Sequence, residues 1–274
     1  MKIIGRRNEE NEFKPIHKLI SLKGRRALIT GAGKGIGRAT SIRFAEAGAD
    51  LELVDIDIES LGKLKEELTK FNVKVNIYKI DVSIKKEIDT LWEILKTKAP
   101  DVLVNNVGIY PTKPFLDVDE HFLKNILDTN LNSTFWMCQH MIRNRIKRGG
   151  VIINFASIEA LLPFKKELAH YDMSKAGVIA LTRALAHEYG KYGFRVNVIV
   201  PGGIWTPGTK KIAKDILKLK YDVATSGIEY LMRTPLHRMG KPDEVARMAL
   251  VLACDMSSYV NGAVIVVDGG FLSA

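Results

Sequence analysis

Short apolar runs alternate with longer stretches of helical spacing from Arg26 almost to the end of the chain. Strands are predicted at 27–29, 51–54, 73–80, 102–104, 151–153, 196–200 and 264–267, most of them apolar nearly throughout. Runs of that kind are expected where both faces of a sheet are covered. Between them, 36–47, 58–70, 84–96, 115–146 and 171–189 are predicted as helices. Strands alternating with helices imply right-handed crossovers. The expected fold class is therefore α/β: one doubly wound domain with a seven-stranded parallel sheet and helices on both faces. In such a sheet a ligand site lies at the carboxyl ends of the strands.

Composition narrows the picture further. With 46% hydrophobic and 26% charged residues among 274, the chain carries enough apolar material for a core and is not a disordered sequence. No run of apolar residues is long enough to span a bilayer, so no membrane association is expected. Two cysteines, Cys138 and Cys254, cannot staple a domain of this size and suit a reducing, cytoplasmic setting. The net charge of +10 raises nucleic acid as a partner. Its denser patches, Arg143, Arg145, Lys147, Arg148 and Lys210, Lys211, Lys214, Lys218, Lys220, lack interleaved aromatic residues, and a solvated basic face is the expectation instead. Residues 1–23 look like an N-terminal extension, with Glu9, Glu10 and Glu12 arguing against a targeting peptide, and 24–274 like the domain itself. Ile16, Leu19, Ile20 and Leu22 suit packing either on that domain or on a neighbouring subunit.

The chemistry begins after the first strand, where Thr30 is followed by Gly31, Gly33, Lys34, Gly35, Ile36 and Gly37 at the opening of the first helix. Glycines let a backbone turn sharply and approach a diphosphate, while the helix N-terminus supplies N–H donors. Asp55 closes the second strand 18 residues after Gly37. A carboxylate there accepts hydrogen bonds from an adenosine ribose and repels a 2′-phosphate. Ile56 stands where an arginine would have met that phosphate, whereas Lys34 is a cation that favours it. Asp55 weighs more, because contact between two anions is costly while a lysine can turn to water. NAD is thus the expected cofactor, ahead of NADP.

Tyr171 and Lys175 share one face of a predicted helix, four residues apart. The spacing alone arises about once by chance in a chain this rich in lysine; the helical setting gives it meaning. A neighbouring ammonium is expected to lower the phenol's pKa and suit it to proton exchange with a carbonyl or alcohol. Taken in order, these motifs resemble the short-chain dehydrogenase/reductase family from about residue 24 to 271. The glycine loop matches the family's cofactor loop and Asp81-Val82 its adenine-contacting pair. Asn105-Asn106-Val107-Gly108 matches its Asn-Asn-Ala-Gly segment, with valine for alanine. Pro201, Gly202, Ile204 and Thr206 match the segment over the nicotinamide, and Asp268-Gly269-Gly270 the end of the last strand. The resemblance implies a Rossmann domain binding NAD through these residues. Tyr171 would be the proton-transfer group, Ser157 the residue that hydrogen-bonds the substrate oxygen, Lys175 the ribose-binding cation and Asn130 the seat of a relaying water. It needs no metal, and it implies a homotetramer built on the helices near 115–147 and 171–189 and on the last strand.

Substrate is less legible. Glu159, Leu161, Pro163, Phe164, His170, Gly203, Ile204 and Trp205, with a lid about 207–231, are expected to form the variable wall. Ser157-Ile158-Glu159 and His170-Tyr171 resemble glucose-dehydrogenase-like members, which implies a secondary alcohol or sugar hydroxyl oxidised to a ketone. Arg148, nine residues before Ser157, resembles instead a carrier-gripping cation of 3-oxoacyl-carrier reductases, which use NADPH; its companion cation would fall at Tyr192, beside Lys191. The first reading is preferred, since Asp55 disfavours NADPH.

Overall fold

In the computed structural model, residues 13–206 and 229–274 are described. The strands are β1 (Arg26–Thr30), β2 (Asp50–Asp55), β3 (Val75–Lys79), β4 (Val102–Asn105), β5 (Gly150–Phe155), β6 (Phe194–Pro201) and β7 (Val264–Val267). After a short α1 (Ile16–Leu19), the helices are α2 (Gly35–Glu46), α3 (Ile58–Leu68), α4 (Lys85–Leu95), α5 (Glu120–Leu127), α6 (Ser133–Arg145), α7 (Ala169–Tyr189) and α8 (Pro242–Ala253). The strands pair in parallel in the order β3-β2-β1-β4-β5-β6-β7. Strand order reverses at β1, between β2 and β4, which opens a crevice at the carboxyl ends.

Successive strand residues face opposite layers. Ala27, Ile29, Leu51, Leu53, Val102, Val104, Val151 and Ile153 pack on the side of α2, α3 and α8. Leu28, Val54, Leu103 and Ile152 join the opposite layer with α4 and α6, where Trp92 and Met141 are fully enclosed. Both faces are covered, which is why these strands tolerate few polar residues. α7 joins this second layer through Ala186 and packs Val178 and Ile179 with Val198 and Val200 in a third cluster.

The predicted helix over 115–146 is instead several pieces. A turn at Phe115–Asp117 ends the first piece, and Asp119 restarts the helix by accepting the Phe122 N–H at 2.8 Å. A wider π-type turn at Asp128–Asn132 then separates α5 from α6 and turns Asn130 inward. α8 went unread in the sequence although its start is marked: Pro242 opens it and Glu244 accepts the Lys241 N–H at 2.8 Å. Leu22 is fully buried and its N–H donates to the Ala47 carbonyl at 2.8 Å, while Ile16 stays exposed. Arg145 does not belong to a solvated basic face. It is buried, bonded to the Gly149 and Ala99 carbonyls and paired with Asp101 at 2.8 Å. Residues 207–228 of the expected lid, with Lys210, Lys211, Lys214, Lys218 and Lys220, lie outside the described residues. Among the described residues no helix is long and apolar enough to cross a membrane.

Candidate active site

The glycine loop is held from two sides. Gly31 and Gly35 adopt φ of +64° and +56°, where a side chain would be strained. A Cβ on Gly37 would stand 2.0 Å from the Gly31 carbonyl oxygen, so α2 reaches the loop only because nothing is there. Asn106 stitches the loop to β4, its Nδ2 donating to the Thr30 and Gly31 carbonyls at 3.2 Å each. Val107 packs against Gly31, within 3.2 Å of where its Cβ would be. α3 and α5 begin with an aspartate cap, whereas α2 has no side-chain cap among the described residues. Uncapped N–H groups at a helix's positive end, beside backbone stripped of side chains, fit a diphosphate.

Asp55 forms the rim. Its Oδ2 accepts the Gly33 N–H at 2.9 Å and its Oδ1 the Asp57 N–H at 3.0 Å. The Lys34 side chain is largely exposed, and its ammonium donates to Asp57 Oδ2 at 2.6 Å. That contact raises the lysine and, with Ser60, holds the Asp57 carboxyl well below the usual carboxylate range. Ile56 is exposed beside them. Asp81 is fixed by Ser83, whose N–H and Oγ donate to Oδ1 at 2.9 and 2.7 Å, while Val82 is buried. After β6, Gly202 donates its N–H to the Val267 carbonyl at 3.0 Å, Ile204 is buried, and Thr206 comes within 3.4 Å of a Cβ position on Gly35. The segment from Pro201 to Thr206 therefore closes over the loop.

Ser157 follows β5 and Tyr171 rides the first turn of α7, which brings the serine hydroxyl beside the phenol. Burial pushes the Tyr171 phenol well above its ordinary pKa, and the nearby Ser157 side chain opposes that rise. Lys175 lies one turn along, buried, with its Nζ donating to the Phe155 carbonyl at 3.1 Å. Burial pushes its ammonium down to about 8. The Lys175 ammonium is thus directed to the carbonyl at the end of β5, and burial outweighs the lowering influence of Ser157 on the phenol. Gly108 admits the lysine, since a Cβ there would be 3.0 Å from Nζ and 3.6 Å from Asn130 Oδ1. Asn130 is fully buried. Its Oδ1 accepts the Ile109 N–H at 2.8 Å, and its Nδ2 donates to the Ile109 carbonyl at 2.9 Å and to Ser174 Oγ at 3.1 Å.

The expected substrate wall divides. Glu159 is turned onto its own loop, accepting the Phe164 and Lys165 N–H groups at 2.9 and 3.3 Å. Phe164 packs edge-on to Phe271, with ring centroids 5.1 Å apart. Trp205 is exposed at 45%, and Gly203 donates its N–H to Tyr230 Oη at 2.5 Å. Two aromatic residues escaped the sequence reading: Tyr230 under Gly203, and Tyr110, whose ring lies 6.0 Å from that of Tyr171. Tyr110 follows the Asn-Asn-Val-Gly segment by two residues, which was the available signal. No group of three His, Cys, Asp or Glu side chains suited to a metal ion occurs among the described residues.

A family model described as enoyl-(acyl carrier protein) reductase matches residues 31–272. The chain belongs to the short-chain dehydrogenase/reductase family and is an oxidoreductase acting on hydroxyl or keto groups. It is 37% identical over 254 residues to the 3-oxoacyl-(acyl-carrier-protein) reductase of Thermotoga maritima, covering 92% of this chain and 99% of that one. It is also 37% identical over 262 residues to the 2-dehydro-3-deoxy-D-gluconate 5-dehydrogenase of Bacillus subtilis, covering 94% and 98%. The structure of L-sorbose reductase from Gluconobacter frateurii with NADPH and L-sorbose superposes with a TM-score of 0.87 at 28% identity, over 93% of this chain and 99% of that one.

Proposed function

We propose that the crevice at the carboxyl ends of the central strands binds NAD(H) and interconverts a secondary alcohol or sugar hydroxyl with the corresponding ketone. One observation carries this reading: the Tyr171 phenol lies beside the Ser157 hydroxyl, with the Lys175 ammonium buried one turn beyond. The nicotinamide, when bound, gives or takes the hydride. Tyr171 hands its proton to the carbonyl oxygen or takes one from the alcohol. Ser157 donates to the same oxygen and stabilises the charge that develops there. Lys175 brings positive potential and binds the nicotinamide ribose. Asn130 keeps the Gly108-Ile109 peptide against Lys175 and, as the family resemblance implies, seats the water that returns protons to it.

The diphosphate belongs to Gly31, Gly33, Gly35, Ile36 and Gly37, the adenosine to Asp55, Ile56, Asp81 and Val82. The nicotinamide belongs to Asn106, Val107, Gly108, Pro201, Gly202, Ile204 and Thr206. With Lys34 engaged by Asp57, a 2′-phosphate would meet the Asp55 and Asp57 carboxylates, which supports NAD over NADP. The named sugar-acid and sugar-handling relatives support a polyhydroxylated substrate, whose polar partners would come from Gly203, Glu159 and Ser157 and its apolar contacts from Phe164 and Trp205. The family resemblance supports a homotetramer.

A second reading, a 3-oxoacyl-carrier reductase using NADPH, is favoured by the Thermotoga relative. Arg148, its carrier-gripping candidate, precedes β5, whereas Ser157 follows it. The companion cation's position holds Tyr192, and Asp55 opposes NADPH. Turnover of D-fructose, cyclohexanone and a 3-oxoacyl thioester with each coenzyme distinguishes the readings. Tyr171→Phe is expected to lose at least about 100-fold in kcat while binding NADH within about twofold of wild type. Retained turnover in that variant would remove Tyr171 from the proton path.

A further inference from the structure

The loop after β4 runs beside the N-terminal turn of α7 without regular structure of its own. Asn130 brackets it at Ile109, and the Lys113 N–H donates to the Glu167 carbonyl at 3.1 Å. Between those anchors, one backbone group is hydrogen-bonded among the described residues: the Pro111 carbonyl, 2.8 Å from His170 Nε2. A carbonyl only accepts, so Nε2 carries the proton and Nδ1 is left as a bare acceptor. His170 is 4% exposed, and Nδ1 is buried with no partner among the described residues. Burying an unpaired acceptor is unfavourable. The ring packs edge-on to Phe122, with centroids 4.9 Å apart, a contact that a phenylalanine would make without that penalty. What the imidazole adds over a hydrocarbon ring is the bond to Pro111.

That bond restrains Tyr110, the residue between the Asn130 clamp and Pro111. Its ring is half-buried 6.0 Å from Tyr171, and its hydroxyl has no hydrogen-bond partner among the described residues. We propose that His170 is a positioning residue that, through Pro111, sets Tyr110 beside Tyr171, and that Tyr110 is a specificity-determining residue whose hydroxyl takes a second oxygen of a polyhydroxylated substrate. The proposal rests on Tyr171 being the proton-transfer group of an alcohol–ketone oxidoreductase. A substrate with a single oxygen engages Tyr171 alone, whereas one with neighbouring hydroxyls engages both phenols.

The test compares His170→Phe, His170→Gln and Tyr110→Phe on D-fructose and cyclohexanone. For His170→Phe and Tyr110→Phe, the ratio of kcat/KM for fructose over cyclohexanone falls about tenfold, carried by KM rather than kcat. His170→Gln, whose Nε2 also donates toward Pro111, restores the wild-type ratio. Hydrogen exchange gives a readout independent of activity: the Lys113 amide exchanges about tenfold faster in His170→Phe but not in His170→Gln or Tyr110→Phe. An unchanged substrate ratio in Tyr110→Phe, or unchanged Lys113 exchange in His170→Phe, overturns the proposal. If the wild type turns over neither ketone with either coenzyme, the functional reading fails instead, and the exchange result still judges the role of His170.

Discussion

At the scale of single residues, burial decides more of the chemistry than neighbouring charge does. Tyr171, Lys175 and Asp172 lie within five positions on α7, and burial is the leading influence on all three. For Asp172, burial and the nearby Glu159 push the carboxyl from 3.8 up to about 6, and its Oδ1 has no hydrogen-bond partner among the described residues. Between those two values the folded chain holds a proton that the unfolded chain has lost. Stability therefore falls as pH rises through the window, and the full cost is present above it. Asp172→Asn should accordingly stabilise the protein by about 1–2 kcal/mol near pH 8, a figure discounted for partial exposure, and by nothing below the window. Urea unfolding at both pH values checks this; an equal gain at each would assign the effect to something other than charge. The Tyr-Lys spacing was legible in the sequence because four residues make one helical turn. The partner of Lys175 was not, because the Phe155 carbonyl is 20 residues away and belongs to a strand.

At the scale of elements, local signals placed most segments and missed those whose shape depends on a distant surface. The start of α8 was written in Pro242 and Glu244. The π-type turn between α5 and α6 had no such mark, since its inward-facing Asn130 is held by Ile109 and Ser174 from two other parts of the chain. The glycine loop was legible, and the structure adds the reason for its last glycine. With the Gly31 carbonyl oxygen 2.0 Å from a Cβ on Gly37, Gly37→Ala must push α2 away from β1. We expect a loss of about 1–3 kcal/mol in stability and at least about tenfold weaker NADH binding. Denaturant unfolding and NADH fluorescence titration measure the two effects; wild-type affinity in the variant would mean that the loop and helix need not approach so closely.

At the scale of the whole molecule, coenzyme choice is a competition between Lys34 and the acids around it. Saturating NADH should raise the melting temperature more than NADPH does, since a ligand at 100 times its Kd adds about 2.7 kcal/mol to the folded state. Asp55→Ala should narrow the gap; a larger shift with NADPH in the wild type would mean that Lys34 leaves Asp57 for a phosphate. The sequence by itself determined the alternation of strands and helices, the parallel sheet with both faces covered, the glycine loop and the shared face of Tyr171 and Lys175. All of these are written in residues two to four apart, or in consecutive apolar runs. Only the tertiary structure decided that Ser157 after β5, Tyr171 on α7, Asn130 in a π-type turn and Gly108 after β4 converge at one crevice, that Lys175 bonds to a strand carbonyl, and that His170 holds the Tyr110 loop. Those meetings depend on strand order and on which groups lose water, and neither is encoded within any short stretch of chain.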